Sequence, residues 1–382
     1  MISEQQRQQA LDAMEILDTP PDERVDRITR LAQELFDVPM VSVTLLDRDR
    51  QWRKSEIGLG GPEAPRDDAF CDVTIRQSGT LVIEDAAQDP IFAKNPFVVG
   101  DPNLRFYAGH PLQAPGGEQV GTLCVLDTRP RSMDARRREL LKDLALWVQV
   151  ELARQQEIDH AALVQRALTP RTVPDITGYT IATGTQPAGD ISGDFYDLYR
   201  TDDGLRFTLA DVMGKGVGAG IIASGVRGAL RTQADRELVS ALSRVDDLLS
   251  EGLTDMNIFV TAFHAELSCQ SGELKFVDAG HNLGFIIRSG GELERLDSSS
   301  LPMGMGLDAD YVAAATVLAP GDMLLCCSDG VLDVLASGDL FTEIAKLLAE
   351  LSPAEVVQEV LTRAVRMHAP DDATIIIIRR DA

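Results

Sequence analysis

The chain has 382 residues, a length that at about 150 residues per domain predicts two or three domains. With 44% hydrophobic and 25% charged residues its composition is that of a globular protein and excludes disorder as the main state. Sixty acidic residues against 36 basic ones leave a formal charge of −24, which repels nucleic acid and anionic lipid and removes both as expected partners.

The first segment, 1–132, reads as a mixed α/β domain. Val25, Ile28, Leu31, Ala32 and Leu35 recur at helical spacing within Asp22–Phe36. Val41–Leu46, Gln51–Ile57, Leu81–Glu84, Arg105–Leu112 and Val120–Asp127 are strand candidates, and Pro115, Gly116 and Gly117 punctuate the last pair as a turn. One sheet flanked by helices is expected.

A helical linker follows over 133–168. Leu141, Leu144, Val148 and Leu152, then Ile158, Ala161, Val164 and Leu168, trace an apolar seam with no Gly or Pro before Pro170. Such a seam predicts a coiled-coil-like helix that pairs two copies into a homodimer; a single amphipathic helix packed on its own domains is the alternative.

The third segment, 169–382, alternates strand candidates (Gly178–Thr185, Arg206–Asp211, Ile258–Leu267, Leu274–Asp278, Leu283–Ile287, Tyr311–Val317, Asp322–Ser328, Ala373–Arg379) with helices at 217–233, 236–251, 341–349 and 353–367. That order predicts a β-sandwich flanked by helices, and the chain as a whole is of the α+β class. No apolar run approaches the ~18 residues of a membrane span. The N-terminal Met1-Ile2-Ser3-Glu4-Gln5 lacks a signal-peptide pattern, so a cytoplasmic protein is expected. Cys71, Cys124, Cys269, Cys326 and Cys327 are odd in number and show no C-x-x-C spacing. Buried reduced thiols are expected.

Chemistry concentrates in four Asp-containing turns of the third segment: Gly189-Asp190-Ile191-Ser192-Gly193-Asp194-Phe195-Tyr196-Asp197, Ala210-Asp211-Val212-Met213-Gly214-Lys215-Gly216, Cys327-Ser328-Asp329-Gly330 and Ala369-Pro370-Asp371-Asp372-Ala373-Thr374. Carboxylates at strand rims suit hard cations, and several in one cleft repel one another until a cation neutralises them. Alone, each such turn is an ordinary turn former; the set and its order carry the signal. The succession Gly193-Asp194-Phe195-Tyr196-Asp197, Asp211-Val212-Met213-Gly214-Lys215-Gly216, Ala279-Gly280-His281-Asn282, Leu301-Pro302-Met303-Gly304, Ser328-Asp329-Gly330 and Asp371-Asp372-Ala373-Thr374 resembles the metal-dependent protein phosphatases, in the SpoIIE/RsbU-like branch related to protein phosphatase 2C.

The resemblance implies a serine/threonine phosphatase using two Mn²⁺ or Mg²⁺ ions, with a phosphorylated anti-sigma-factor antagonist of the STAS type as the usual substrate. Carried over by motif, Asp211 bridges the ions and the Val212 carbonyl serves one of them. Asp329 and Asp371 complete the first site, and Asp194 meets the second ion directly or through water. Asp372 is a ligand or a supporting partner. Water activated between the ions attacks phosphorus in line, without a phosphoenzyme. The eukaryotic relatives carry a His where Met213 stands, so the proton donor is unassigned. His281 reads as a turn residue that orders its loop. The alternative is a pseudophosphatase that docks a phosphoprotein without turnover.

Gly214-x-Gly216-x-x-Ala219 mimics a dinucleotide fingerprint, but the parallel strand such a unit needs is missing. The small-residue segment after it, Val217–Thr232, is a candidate switch helix. In the first segment, Ala69-Phe70-Cys71-Asp72-Val73-Thr74-Ile75, Leu81-Val82-Ile83-Glu84-Asp85-Ala86, Asp89-Pro90-Ile91-Phe92-Ala93, Phe106-Tyr107-Ala108-Gly109-His110-Pro111-Leu112 and Gly121-Thr122-Leu123-Cys124-Val125-Leu126-Asp127 resemble GAF sensory domains. That resemblance implies a small-ligand pocket or a dimerisation role, and a receptor in which the GAF domain does the main work is a further alternative. Cys71 reads as a packed core thiol and His110 as structural.

Overall fold

The computed structural model describes residues 3–170, 172–297, 300–305, 310–335 and 340–381. The chain divides into two compact units, Met1–Glu157 and Ile158–Ala382.

In the first unit the elements run α1 (Glu4–Ala13), α2 (Glu23–Phe36), β1 (Met40–Leu46), β2 (Arg50–Ile57), β3 (Glu63–Pro65), α3 (Phe70–Thr74), β4 (Leu81–Ile83), α4 (Pro96–Val99), β5 (Phe106–Gln113), β6 (Gln119–Asp127) and the start of α5 (Ala135–Leu168). The strands form one six-stranded sheet, β3-β2-β1-β6-β5-β4. Successive strand residues point to opposite faces, and here both faces are covered. Val41, Val43, Leu45, Leu123 and Val125 face the α2 stripe of Val25, Ile28, Ala32 and Phe36. Met40, Leu46, Cys124 and Leu126 face Phe70, Cys71 and Tyr107 on the other side. This two-sided burial explains why β1 and β6 read as continuous apolar runs. Asp22 starts α2 by accepting from the Arg24 N–H at 2.9 Å.

The helix α5 is continuous from Ala135 to Leu168, across the point where the two units divide. Leu141, Leu144, Val148 and Leu152, the first half of the apolar seam, are buried in the core of the first unit. Leu146, Trp147 and Val150 lie exposed on the same stretch, and Val164 and Leu168 of the second half are also exposed.

The second unit continues with β7 (Tyr179–Gln186), β8 (Asp194–Arg200), β9 (Gly204–Val212), α6 (Val217–Thr232), α7 (Leu238–Asp255), β10 (Val260–Ser268), β11 (Glu273–Ala279), β12 (Gly284–Ile287), β13 (Leu293–Leu296), β14 (Ala314–Val317), β15 (Met323–Cys327), α8 (Gly330–Val334), α9 (Leu340–Glu350), α10 (Pro353–Met367) and β16 (Ala373–Arg380). Two five-stranded antiparallel sheets, β14-β11-β10-β9-β8 and β13-β12-β15-β16-β7, form a sandwich. Its middle is filled by Phe207, Leu209, Phe263 and Phe276 from one sheet and Ile286, Leu324, Ile376 and Ile378 from the other. The alternate residues Ala210, Val212, Ala262 and Val277 turn outward onto α6 and α7. Leu325, Cys327, Ile375 and Ile377 turn outward onto α8 and α10. Helices therefore cover both outer faces, and the rims of the sandwich are where strand ends leave side chains free for chemistry.

Candidate active site

Each of the sequence-selected aspartates stands at the end of a strand. Asp194 opens β8, Asp211 is the penultimate residue of β9, Asp329 follows β15, and Asp371 and Asp372 precede β16. In the antiparallel β8–β9 ladder Asp194 lies directly opposite Asp211. The Asp329 turn is pressed onto the Asp371–Asp372 backbone: a Cβ at Gly330 would come within 2.2 Å of the Asp372 carbonyl oxygen and 2.9 Å of that of Asp371. Glycine is needed there for close approach.

The electrostatics follow from crowding. Asp194 is almost fully buried, its Oδ2 has no hydrogen-bond partner, and burial followed by the charge of Asp211 pushes its pKa well above the carboxylate range. Asp211 is raised by burial and then by the charges of Asp329, Asp371 and Asp372. Burial and then Asp371 raise Asp329. Like charges held together in this way favour either protonation or a cation. Lys215 supplies one positive group, its Nζ 3.5 Å from Asp371 Oδ2 and 2.6 Å from the Pro370 carbonyl.

Asp372 stands apart from the others. Its Oδ1 accepts from the Ala188 N–H and its Oδ2 from the Gly193 N–H, each at 2.7 Å. Ser328 Oγ donates to the Asp372 carbonyl at 3.0 Å and accepts from Thr374 N–H at 2.9 Å. Both carboxylate oxygens are thus engaged in holding the 187–193 loop that leads into Asp194.

Divalent cations fit this donor set in three respects. The orphaned, buried Asp194 Oδ2 wants a positive partner. The coupled carboxylates are hard oxygen donors. At Gly193 a Cβ would lie 3.1 Å from the Val212 carbonyl oxygen, so the glycine keeps a side chain off that carbonyl. Among the described residues no three His, Cys, Asp or Glu groups converge into a ready-made cage for one ion. The aspartates are coupled in charge without being closed around a common centre.

Residues 201–381 match the family of stage II sporulation protein E, SpoIIE, and residues 20–152 match the GAF domain. The chain joins a GAF domain to a SpoIIE-type phosphatase domain. The phosphoserine phosphatase RsbU of Bacillus subtilis is 27% identical over 238 residues, 59% of this chain and 70% of RsbU. A cyclic di-GMP phosphodiesterase of Pseudomonas aeruginosa is 40% identical over 134 residues, which cover 35% of this chain but 23% of that protein. The solved SiaA-PP2C domain of Pseudomonas aeruginosa superposes with a TM-score of 0.52 at 24% identity, covering 61% of this chain and 99% of that one, and shows the shared sandwich fold.

The SpoIIE match takes in Asp211, Asp329, Asp371 and Asp372, and begins after Asp194 and strand β8. Within the SpoIIE domain, His281 is spent on structure: Nε2 donates to the Cys327 carbonyl at 2.9 Å, Nδ1 lies 3.3 Å from Thr261 Oγ1, and its N–H donates to Asp278. Met213 is half-exposed and its N–H donates to the Phe259 carbonyl. The glycine pattern at 214–219 is not a dinucleotide site, since β9 pairs antiparallel with both β8 and β10. Gly214 and Gly216 have φ of 103° and 78°, the left-handed backbone that turns the chain from β9 into α6. Lys215 and Ser328 stand in the sequence motifs without an assigned role, and Gln165 lies outside them. The Gln165 carboxamide pairs with the Ser192 backbone, donating to its carbonyl at 2.6 Å and accepting from its N–H at 3.0 Å.

The GAF domain carries an open pocket of about 340 Å³ bordered by Thr44, Arg53, Phe70, Cys71, Tyr107 and Cys124 among others. His110 points elsewhere, with Nδ1 2.9 Å from Thr80 Oγ1.

Proposed function

We propose that the SpoIIE domain hydrolyses phosphoserine or phosphothreonine in a protein partner with Mn²⁺ or Mg²⁺, under control of the GAF domain. The observation that carries this reading is the buried, unpartnered Asp194 Oδ2 set opposite Asp211, within a cluster that repels itself. Asp211 would be shared between two ions. The Val212 carbonyl, Asp329 and Asp371 would complete one site, and Asp194 would serve the other directly or through water. Asp372 would position the loop rather than ligate. A pair of divalent ions supplies charge neutralisation at phosphorus and an activated water. Lys215, at the mouth beside Asp371, would orient the anionic phosphoryl group.

The likeness to the phosphoserine phosphatase RsbU supports phosphoserine as the group attacked, and the partner would be a phosphorylated anti-sigma-factor antagonist of the STAS type. No helix among the described residues is long and apolar enough to cross a membrane, which is compatible with the expected cytoplasmic setting. Exposed Leu146, Trp147, Val150, Val164 and Leu168 leave apolar faces on α5 through which two copies would pair, although the first half of the predicted seam is used inside the GAF unit. The cavity of the GAF domain would take the small ligand that acts as signal. The deciding experiment is Mn²⁺-dependent phosphate release from a phosphorylated STAS protein. Release that falls about 10²-fold in Asp211→Asn supports the reading; binding of the phosphoprotein without release would make the domain a docking module.

A further inference from the structure

We infer that the GAF pocket takes a small organic acid with an apolar body, whose single carboxylate is received by Arg53. This names the ligand class for the pocket already read as the seat of the signal, and rests on that reading. Arg53 stands on β2, where residues alternate in face. Trp52 packs into the core on one side, while Gln51 and Arg53 turn to the pocket on the other. Arg53 is 9% exposed. A guanidinium so far out of water is rare without an anionic partner, because the lost hydration must be offset.

Neighbouring cations of the domain are answered. Arg50 pairs with Asp18, Asp47 and Glu63. Lys54 Nζ donates to Thr19 Oγ1 at 2.7 Å and to the Pro20 carbonyl at 2.6 Å. The buried Arg7 pairs with Glu4 at 2.7 Å. Arg53 differs. Its Nη1 donates to the Gly61 carbonyl at 2.5 Å and its backbone N–H to the Pro62 carbonyl at 2.7 Å, so the loop after β2 holds one edge of the side chain. Among the described residues, Nε and Nη2 have no acceptor and no carboxylate pairs with the group. Asp101, the acid in the pocket wall, is exposed and makes no ion pair with it.

Other polar groups of the wall are engaged within the protein. Thr44, opposite Arg53 in the β1–β2 ladder, has its Oγ1 2.6 Å from Ser42 Oγ. Gln51 Nε2 donates to the Pro65 carbonyl at 3.2 Å. The Cys124 thiol donates to the Ser42 carbonyl at 3.5 Å, and Cys71 Sγ accepts from Thr122 Oγ1 at 3.1 Å. Tyr107 Oη lies 2.7 Å from Thr74 Oγ1. The rest of the wall is apolar, with Leu59, Phe70, Phe97, Leu104 and Leu126. One open guanidinium edge on an apolar wall selects its ligand. A carboxylate presents two oxygens that match the guanidinium fork. A phosphate dianion calls for a second cation, and the wall holds no other Lys or Arg. A nucleotide base and ribose bring donors and acceptors that this wall would leave unpaired. The volume of about 340 Å³ is at the small end for ligand pockets and suits one compact molecule.

The test is calorimetric titration of the full chain with phenylacetate and indole-3-acetate, each against its neutral amide, and with cyclic AMP and cyclic GMP. An acid should bind at least about tenfold tighter than its own amide. Arg53→Gln should erase that preference and Arg53→Lys should keep part of it, with thermal melting to show that each variant is folded. The acid-against-amide comparison in the parent chain does not depend on either variant folding. Equal binding of acid and amide, no binding of either acid, binding of the cyclic nucleotides alone, or an unchanged preference in folded Arg53→Gln overturns the proposal. Binding is read without catalysis, so it stands apart from the phosphatase reading. An acid that binds through Arg53 and leaves Mn²⁺-dependent phosphate release unchanged supports the site and removes the control assigned to the domain.

Discussion

Asp194 and Asp211 face each other across the β8–β9 ladder, one carrying a buried carboxylate oxygen with no partner and the other raised by burial and by its acidic neighbours. Removing one charge should relieve the repulsion in the ion-free protein and abolish the use of ions. Asp211→Asn should raise the Tm measured in EDTA, by the equivalent of about 1 kcal/mol. The same variant should lose the Tm rise on adding Mn²⁺ and drop phosphate release about 10²-fold, the scale of losing one group that stabilises transition-state charge. Calorimetry with and without Mn²⁺ checks the first two effects. A lower Tm in EDTA would show that the pair is not under repulsion.

Asp372 predicts the opposite balance. Its oxygens satisfy the Ala188 and Gly193 amides in a nearly inaccessible position. Asp372→Ala leaves both donors unpaired and should cost about 2–4 kcal/mol of stability even without ions. Asp372→Asn keeps one acceptor and should fall between. Urea unfolding in EDTA measures this; a variant as stable as the parent would return Asp372 to the group of ligands.

His264 gives the second domain an acid weakness. It is buried on β10 with Nδ1 2.7 Å from Thr208 Oγ1 and Nε2 unpartnered, and burial, then the charge of Arg206, lowers its pKa to about 3. The unfolded chain binds this proton below its ordinary pKa of about 6.5 while the folded chain does not. Stability from the neutral ring is therefore complete above that value and declines as pH falls towards 3, by about 2 kcal/mol at pH 5. His281, lowered to about 4 by burial, acts in the same direction. Unfolding free energy followed from pH 7.5 to 5 should fall less steeply in His264→Leu than in the parent; parallel slopes would rule the ring out as the cause.

What could be read from the sequence divides along physical lines. Strands β7, β9, β10 and β16 were legible because their apolar runs are bounded by Gly, Pro or Asp, and α6, α7 and α10 because their period is unmistakable. Strand β8 reads as a turn in the sequence, since Asp194 and Asp197 interrupt its apolar residues. The structure shows why both are tolerated inside a strand: Asp194 is turned to the acidic rim, and Asp197 is held by Arg227 and Arg231 at 3.1 Å. The α5 seam was legible as a helix but not in its partner, because the same spacing serves a coiled coil or a helix laid on its own sheet. That the four Asp turns share one rim came from the family likeness, as nothing local in a turn reports what lies across the sandwich. The roles of Lys215 and Gln165 are not legible in the sequence because they exist only through contacts made by the fold.

Gln165 carries the last prediction. Near the C-terminal end of α5, its carboxamide clamps Ser192, two residues before Asp194. The contact is tight on the other side too, since a Cβ at Gly220 of α6 would lie 3.0 Å from Gln165 Nε2 and 2.3 Å from the Ile191 side chain. The loop into Asp194 is therefore fixed by Gln165 on one flank and Asp372 on the other. Gln165→Ala should leave the fold intact at a cost of about 1–2 kcal/mol. Because the displaced group is Asp194 and not the attacked phosphorus, the change should show as a need for about tenfold more Mn²⁺ at half-maximal rate, with kcat at saturating Mn²⁺ close to the parent. Metal titrations of phosphate release separate the two parameters. An unchanged Mn²⁺ requirement with a lower kcat would mean that the clamp acts on the substrate and not on Asp194.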